Sequence, residues 1–393
     1  MKKAWFSIVV FMALIHTVPG QPVSSRHYQL IAGTGTEAES PVDTGEMEAL
    51  AREMESRFSV YTQLFRFDPA RLSDPGGSLL KVRIIKDTGV YDSYVSSQLG
   101  GARPGAVYIH YQNPERRELV INRGGAEESR VLPYQAFVQY LRAFIPNPPS
   151  WLREGFAIYF TTLGYSPTGE LEYKENLSWL ETVKTMGNGV PPLEAILLAD
   201  QGGEPENFRA LSWALVSFFL NSGNEEYFRS LIESFMLLSP AADAAQNSQI
   251  TTDHLGRWGD FTRMRTDFLS YLDSRKTFLE FMADGEAAHA AKDEFTAEYS
   301  FMSAMNQRPD HYAPYYYLGL LAYESGRHDQ AEQYYRQSIE NGADEALVLY
   351  ALGINAITAG KNSDAVSFLR QAAELSPERY RARADDLIKR LGG

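Results

Sequence analysis

A chain of 393 residues exceeds what one compact core usually organises, so two domains behind a processed leader are expected. A formal net charge of -13 and a pI near 5.1 argue against nucleic acid or an anionic membrane surface as partner, because phosphate binding needs clustered Lys and Arg. Cysteine is absent, which removes disulfides, thiolate metal sites and thiol nucleophiles together.

At the start of the chain, Lys2 and Lys3 precede a mostly apolar run over residues 4–18, the pattern of a secretory signal with cleavage near Gly20. Residues 1–20 are therefore expected to be removed. The run is short for a spanning helix and no later segment is long and apolar enough, so no membrane span is expected after cleavage. An exported chain without disulfides stands on packing alone, which fits a bacterial periplasm or an extracellular destination.

Residues 26–125 alternate in character. The patterning predicts a strand at 27–32, a helix over 45–66, a strand at 79–86, a short helix at 91–99, and strands at 106–111 and 118–122. Gly33, Thr34 and Gly35, followed by Ala38, mimic a dinucleotide fingerprint. The residues beyond are acidic and polar where an apolar helix should begin, so a surface loop is predicted. From 130 to 274 the period becomes helical, with breaks at 146–150, 165–169, 187–192 and 202–205. No Walker A sequence and no Gly-x-Ser-x-Gly elbow occurs, which weakens nucleotide and serine-hydrolase readings.

Two adjacent helical segments carry the most informative text, Val-Leu-Pro-Tyr-Gln-Ala-Phe-Val-Gln-Tyr-Leu over 131–141 and Trp-Leu-Arg-Glu-Gly-Phe-Ala-Ile-Tyr-Phe over 151–160. Together with the α/β prelude, they resemble gluzincin metallopeptidases of the peptidase-MA-like, DUF1570 kind, over roughly residues 26–270. That family carries a His-Glu-x-x-His helix followed by a Trp-Leu-x-Glu-Gly-x-Ala-x-Tyr helix. The resemblance implies a zincin-like fold in which Glu154 matches the third zinc ligand, while Gln135, Ala136 and Gln139 stand at the His, Glu and His positions. Sliding the register by one brings Tyr134, Gln135 and Val138 there, again without a histidine. Glutamine amides are poor zinc ligands beside imidazole, and a missing general base forfeits about 10²- to 10⁴-fold in rate. A degenerate, non-catalytic domain without metal or cofactor is therefore expected. Glu154 would then be structural, near the start of its helix or bonded to Gln135 or Gln139. The alternative is a zinc-dependent hydrolase with an unusual ligand set, built on Glu154 with His110 or His254.

The last 110 or so residues repeat with a period of 34. Leu318 and Gly319 recur as Leu352 and Gly353, Gly326 as Gly360, Ala331 as Ala365, Tyr335 as Leu369, and Ser338 as Ala372. One period upstream stand Gly285, Ala297, Phe301, Ala304 and Pro309, with Asp284 and Lys292 where Leu and Gly are expected. This spacing of small residues resembles the tetratricopeptide repeat over about 278–390, which implies three stacked helical hairpins with a groove along their first helices. In the family's pattern the groove positions are Met282, Glu286 and His289, then Tyr316, Leu320 and Tyr323, then Tyr350, Ile354 and Ile357. Aromatic and aliphatic residues there favour an apolar peptide or helix from a protein partner. The family's carboxylate-clamp pattern is absent, since Met282 and Glu286 stand where Lys and Asn belong. Arg379, Arg381 and Arg383 are expected to cap the array with a solvated face.

The expected fold is thus α+β, mainly α. A signal at 1–20, a degenerate zincin-like domain at 21–272 and three repeats at 278–390 make an exported scaffold for a protein or peptide partner.

Overall fold

The computed structural model describes residues 22–34, 42–68, 79–165 and 171–392. The leader, Gly35 and Ala38 lie outside the described residues. The chain divides after Ser274 into two compact units, each with its own core.

The first unit begins with β1 (Val23–Ser24), β2 (Tyr28–Ala32), α1 (Thr44–Phe65), β3 (Leu80–Ile85), α2 (Thr88–Leu99), β4 (Ala106–Ile109) and β5 (Glu118–Asn122). These strands form one mixed sheet in the order β1-β2-β3-β5-β4, parallel in its centre and antiparallel at both edges. Central strands buried on both faces lose the polar alternation, and all five residues of β5 are buried. One sheet face, through Val82, Ile84, Leu119 and Ile121, joins the main core with Phe58 and Tyr61 of α1; the other, through Ile85, Val107 and Val120, packs on Tyr91 and Val95 of α2. Helix α1 starts where Asp43 and Glu46 form a reciprocal capping box. Helix α2 starts three residues earlier than the pattern predicts, because the Asp87 side chain caps it by accepting from the Val90 N–H. Strand β4 stops at Ile109, two residues short of prediction, where its pairing partner β5 begins at Glu118.

The helical half follows as α3 (Glu128–Phe144), α4 (Ser150–Tyr159), β6 (Leu163–Tyr165), β7 (Leu171–Tyr173), α5 (Leu177–Met186), α6 (Leu193–Leu197), α7 (Ala199–Gly202), α8 (Phe208–Asn221), α9 (Glu225–Leu237), α10 (Ala244–Trp258) and α11 (Phe261–Asp273). The antiparallel pair β6 and β7 was not expected from sequence, where three-residue strands leave no periodic trace. Residues 166–170 are not described.

The second unit is a run of helices: α12 (Phe278–Ala290), α13 (Glu294–Gln307), α14 (Tyr312–Glu324), α15 (His328–Glu340), α16 (Glu345–Thr358), α17 (Asn362–Leu375) and α18 (Pro377–Arg390). Three hairpins of one design, α12/α13, α14/α15 and α16/α17, stack in sequence and α18 closes the array. The repeated glycine is what lets the helices of each hairpin approach. A methyl group at Gly285 would come within 2.5 Å of the Phe301 ring, at Gly319 within 2.7 Å of Tyr335, and at Gly353 within 2.7 Å of Leu369. The turns repeat as well: Gly326 and Gly360 take left-handed backbone at φ 74° and 72°, and their N–H groups bond the carbonyls of Tyr323 and Ile357. Lys292 does the same at φ 61°, bonding the His289 carbonyl. The turn geometry is therefore imposed on a residue that disfavours it. Asp284, the other departure from the pattern, forms an ion pair with Lys276 near the exposed surface.

Candidate functional site

In the first unit, the Trp-Leu-Arg-Glu-Gly segment builds α4. Its start is held by Asp200 of α7, which accepts from the Ser150 N–H (2.8 Å) and hydroxyl (2.6 Å) while also accepting from Ser248 of α10 (2.6 Å). Trp151, Leu152 and Phe156 are wholly buried. Gly155 lies against the backbone of α8, where a methyl group would meet the Ser212 carbonyl oxygen at 2.4 Å. This close crossing brings Arg209 of α8 to Glu154.

Glu154 sits in the middle of α4 rather than at its start, a first correction to the sequence reading. Its second correction concerns partners. The carboxylate accepts from the Tyr134 hydroxyl (2.6 Å) and Arg209 Nε (3.1 Å) on one oxygen, and from Arg153 Nε (3.3 Å) and Nη2 (3.2 Å) on the other. Gln135 and Gln139 are not among its partners. Gln135 Oε1 accepts from the Tyr108 N–H on edge strand β4 (3.0 Å), and Gln139, 1% exposed, donates to the Lys81 carbonyl on β3 (2.8 Å). Ala136 is fully buried between them. The reason is helical geometry: residues four apart share a face, so Gln135 and Gln139 both turn to the sheet while Tyr134, one residue back, turns to α4. Of the slid register, Tyr134 is the residue that meets Glu154, while Val138 is buried in the main core.

This donor set does not fit zinc. Gln135 spends its amide oxygen on the Tyr108 N–H, and Gln139 is turned to the sheet with its Nε2 on the Lys81 carbonyl and its buried Oε1 without a hydrogen-bond partner among the described residues. Ala136 offers no donor, and Glu154 is already compensated by two guanidiniums and a phenol. Burial, then the adjacent Glu154 carboxylate, raises the Tyr134 hydroxyl well above its ordinary range, so it remains a proton donor to Glu154. His110 Nδ1 is 3.3 Å from the Tyr108 hydroxyl, and His254 Nε2 lies 3.7 Å from Glu233. Among the described residues, no three His, Asp or Glu side chains are grouped as a metal site requires. Arg209 is the participant that sequence reasoning missed. Nothing local marks it, since it reaches Glu154 across 55 positions of sequence.

In the second unit, the groove positions lie on the first helices of the hairpins. Tyr316, Leu320 and Tyr323 on α14, and Tyr350, Ile354 and Ile357 on α16, are all half-buried, neither sealed in the core nor fully solvated. Tyr316 packs beside Tyr335 (5.8 Å between ring centres) and Tyr350 stacks on Tyr380 (5.0 Å, 25°). On α12, Met282 is buried, Glu286 is exposed and His289 pairs with Glu324 (2.8 Å), so the apolar character is concentrated on the later hairpins. Tyr380, buried on α18, was missed because it stands among Arg379, Arg381 and Arg383, which are exposed. Arg379 bonds Asp344 (2.6 Å).

No family model matches the chain. No curated protein matches it either. Among solved structures, the chain is similar to the TPR domain of Arabidopsis OM64, at 19% identity over 29% of this chain and 93% of that one, with a TM-score of 0.27. The class is set by the molecule's own geometry: a mainly helical protein with a small mixed sheet near its start and a tetratricopeptide-like array of helical hairpins after it.

Proposed function

We propose that this chain is a scaffold that docks an apolar peptide or helix of a partner protein on the first-helix surface of its repeat array. The observation that carries this reading is the row of half-buried aromatic and aliphatic side chains, Tyr316, Leu320, Tyr323, Tyr350, Ile354 and Ile357, at corresponding positions of two successive hairpins. Rings half in contact with the core are held rigid, and rigid aromatic surface binds with little loss of side-chain freedom. On this reading residues 1–20 direct export, residues 21–272 are a peptidase-MA-like domain that has lost its metal ligands, and residues 278–390 bind the partner in the cell envelope or outside the cell.

The test is capture from the source organism's envelope fraction by the full chain, comparing wild type with Tyr316→Ala plus Tyr350→Ala. Proteins held by wild type should be lost from the double variant. Equal capture by both would remove the groove as the docking surface. Metal analysis checks the other half: stoichiometric zinc that disappears in Glu154→Ala would restore the hydrolase reading.

A further inference from the structure

The second hairpin of the array carries a hydroxyl that the other two lack. Phe301, Tyr335 and Leu369 stand one period apart, each packed on the glycine of its own hairpin, and of the three Tyr335 alone adds a polar atom. Tyr335 is 2% exposed, and its hydroxyl has no hydrogen-bond partner among the described residues. Its ring lies 5.8 Å from that of Tyr316. Burial, then the phenols of Tyr316 and Tyr323, raises the hydroxyl above its ordinary value, so it sits among the groove tyrosines. Tyr316, Tyr323 and Tyr350 pack against the same cluster as Tyr335, and their hydroxyls also have no partner among the described residues. Their chain neighbours differ: Tyr315 donates to the Pro309 carbonyl (2.8 Å), and Tyr334 accepts from Gln330 Nε2 (3.5 Å). The groove thus sets four unspent phenols beside the aliphatic surface of Leu320, Ile354 and Ile357.

We infer that the ligand of this groove is a proline-rich segment in the polyproline II conformation, its backbone carbonyls accepting from the hydroxyls of Tyr316, Tyr323, Tyr335 and Tyr350. The inference rests on docking at this groove and narrows what docks there. An α-helix has spent its backbone carbonyls internally, so its apolar face would cover the phenols without bonding them, at roughly tenfold in affinity for each one sealed. A polyproline II helix has no internal hydrogen bonds, and every carbonyl is free to accept. Proline also brings no N–H group, so such a segment asks the groove for donors alone, which phenols among aliphatic side chains supply. Flat rings held half in the core present rigid faces to the pyrrolidine rings, and a ligand already extended loses little freedom on binding.

The experiment is a fluorescence-anisotropy titration of the full chain into three labelled, end-capped peptides of equal length. One is built of Pro-Pro-Leu repeats, one is helical with leucines at i, i+3, i+4 and i+7, and one is built of Gly-Ser repeats. The proline peptide should bind roughly tenfold more tightly than either of the others. Replacing all four hydroxyls, by Tyr316→Phe, Tyr323→Phe, Tyr335→Phe and Tyr350→Phe together, should weaken the proline peptide by roughly thirtyfold while leaving the helical peptide no weaker. Tyr335→Phe alone should weaken it roughly threefold and leave the melting of the array unchanged, because Phe301 already fills the equivalent place in the first hairpin. Undiminished proline-peptide binding in the fourfold variant, or a lower melting transition in Tyr335→Phe, would overturn the inference by making the hydroxyls idle or structural. Tighter binding of the helical peptide would overturn it while keeping the groove as a docking surface. If none of the three peptides binds, the polyproline assignment falls, and capture with Tyr316→Ala plus Tyr350→Ala decides separately whether the groove docks a partner.

Discussion

The two units of this molecule spell their folds in different ways. In residues 275–392 the same contact is written three times: a glycine on one helix receives Phe301, Tyr335 or Leu369 from the next. In residues 22–274 each contact is written once, as when Gly155 meets the backbone of α8 at Ser212, and its partners lie far off in sequence. Repetition makes a fold legible because every period tests the same rule again. A single-copy core offers no such check, so a short motif there can suggest a chemistry that the packing does not assemble.

The comparison can be broken most forcefully at the glycines. Gly155→Ala should destabilise the first unit by about 3 kcal/mol, because the new methyl group faces backbone that cannot step aside. A folded protein with an unchanged first melting transition would show that α4 and α8 have room to separate. Gly319→Ala should cost the array less, about 2 kcal/mol, because Tyr335 is a side chain and can shift in part. In calorimetry the two substitutions should move separate transitions. Lys292→Gly should stabilise the array by about 1 kcal/mol, since it puts at φ 61° the residue that the next two repeats already use. Chemical denaturation of that variant should show a higher midpoint; no change would mean that Lys292 is held at no cost.

The smallest effect concerns pH. Burial, then the Arg142 and Arg117 guanidiniums, pushes His110 down to about 4 from an ordinary 6.5. A folded-state value below the unfolded one means that the unfolded chain binds more protons between these limits. The stability held by neutral His110 is thus fully present above about pH 6.5 and is lost as pH falls toward 4. Unfolding followed over that window should be less pH-dependent in His110→Asn than in wild type, and identical slopes would show that His110 does not titrate this way.

Much of the fold could be read before the structure. The central strands and α1 lie within about two residues of prediction, because buried β-branched runs and the Asp43 capping box are local signals. The array was legible down to its turn residues. The site around Glu154 was less so. Sequence places Gln135 and Gln139 four apart on one helical face, but which face meets the sheet depends on packing from α1, β4 and β5. Arg209 carries no local sign of its role, since it is defined by a partner 55 residues away. The tyrosine of α18 was hidden by the charged residues around it; its helix begins at Pro377, a residue suited to the first helical position.

Docking on the repeat array is tested most directly by hydrogen exchange on the full chain, with and without a captured partner. Protection should appear in α14 and α16, which carry Tyr316, Leu320, Tyr323, Tyr350, Ile354 and Ile357, and should vanish in Tyr316→Ala plus Tyr350→Ala. Protection confined to α13, α15 and α17, or to residues before 275, would contradict docking on this surface.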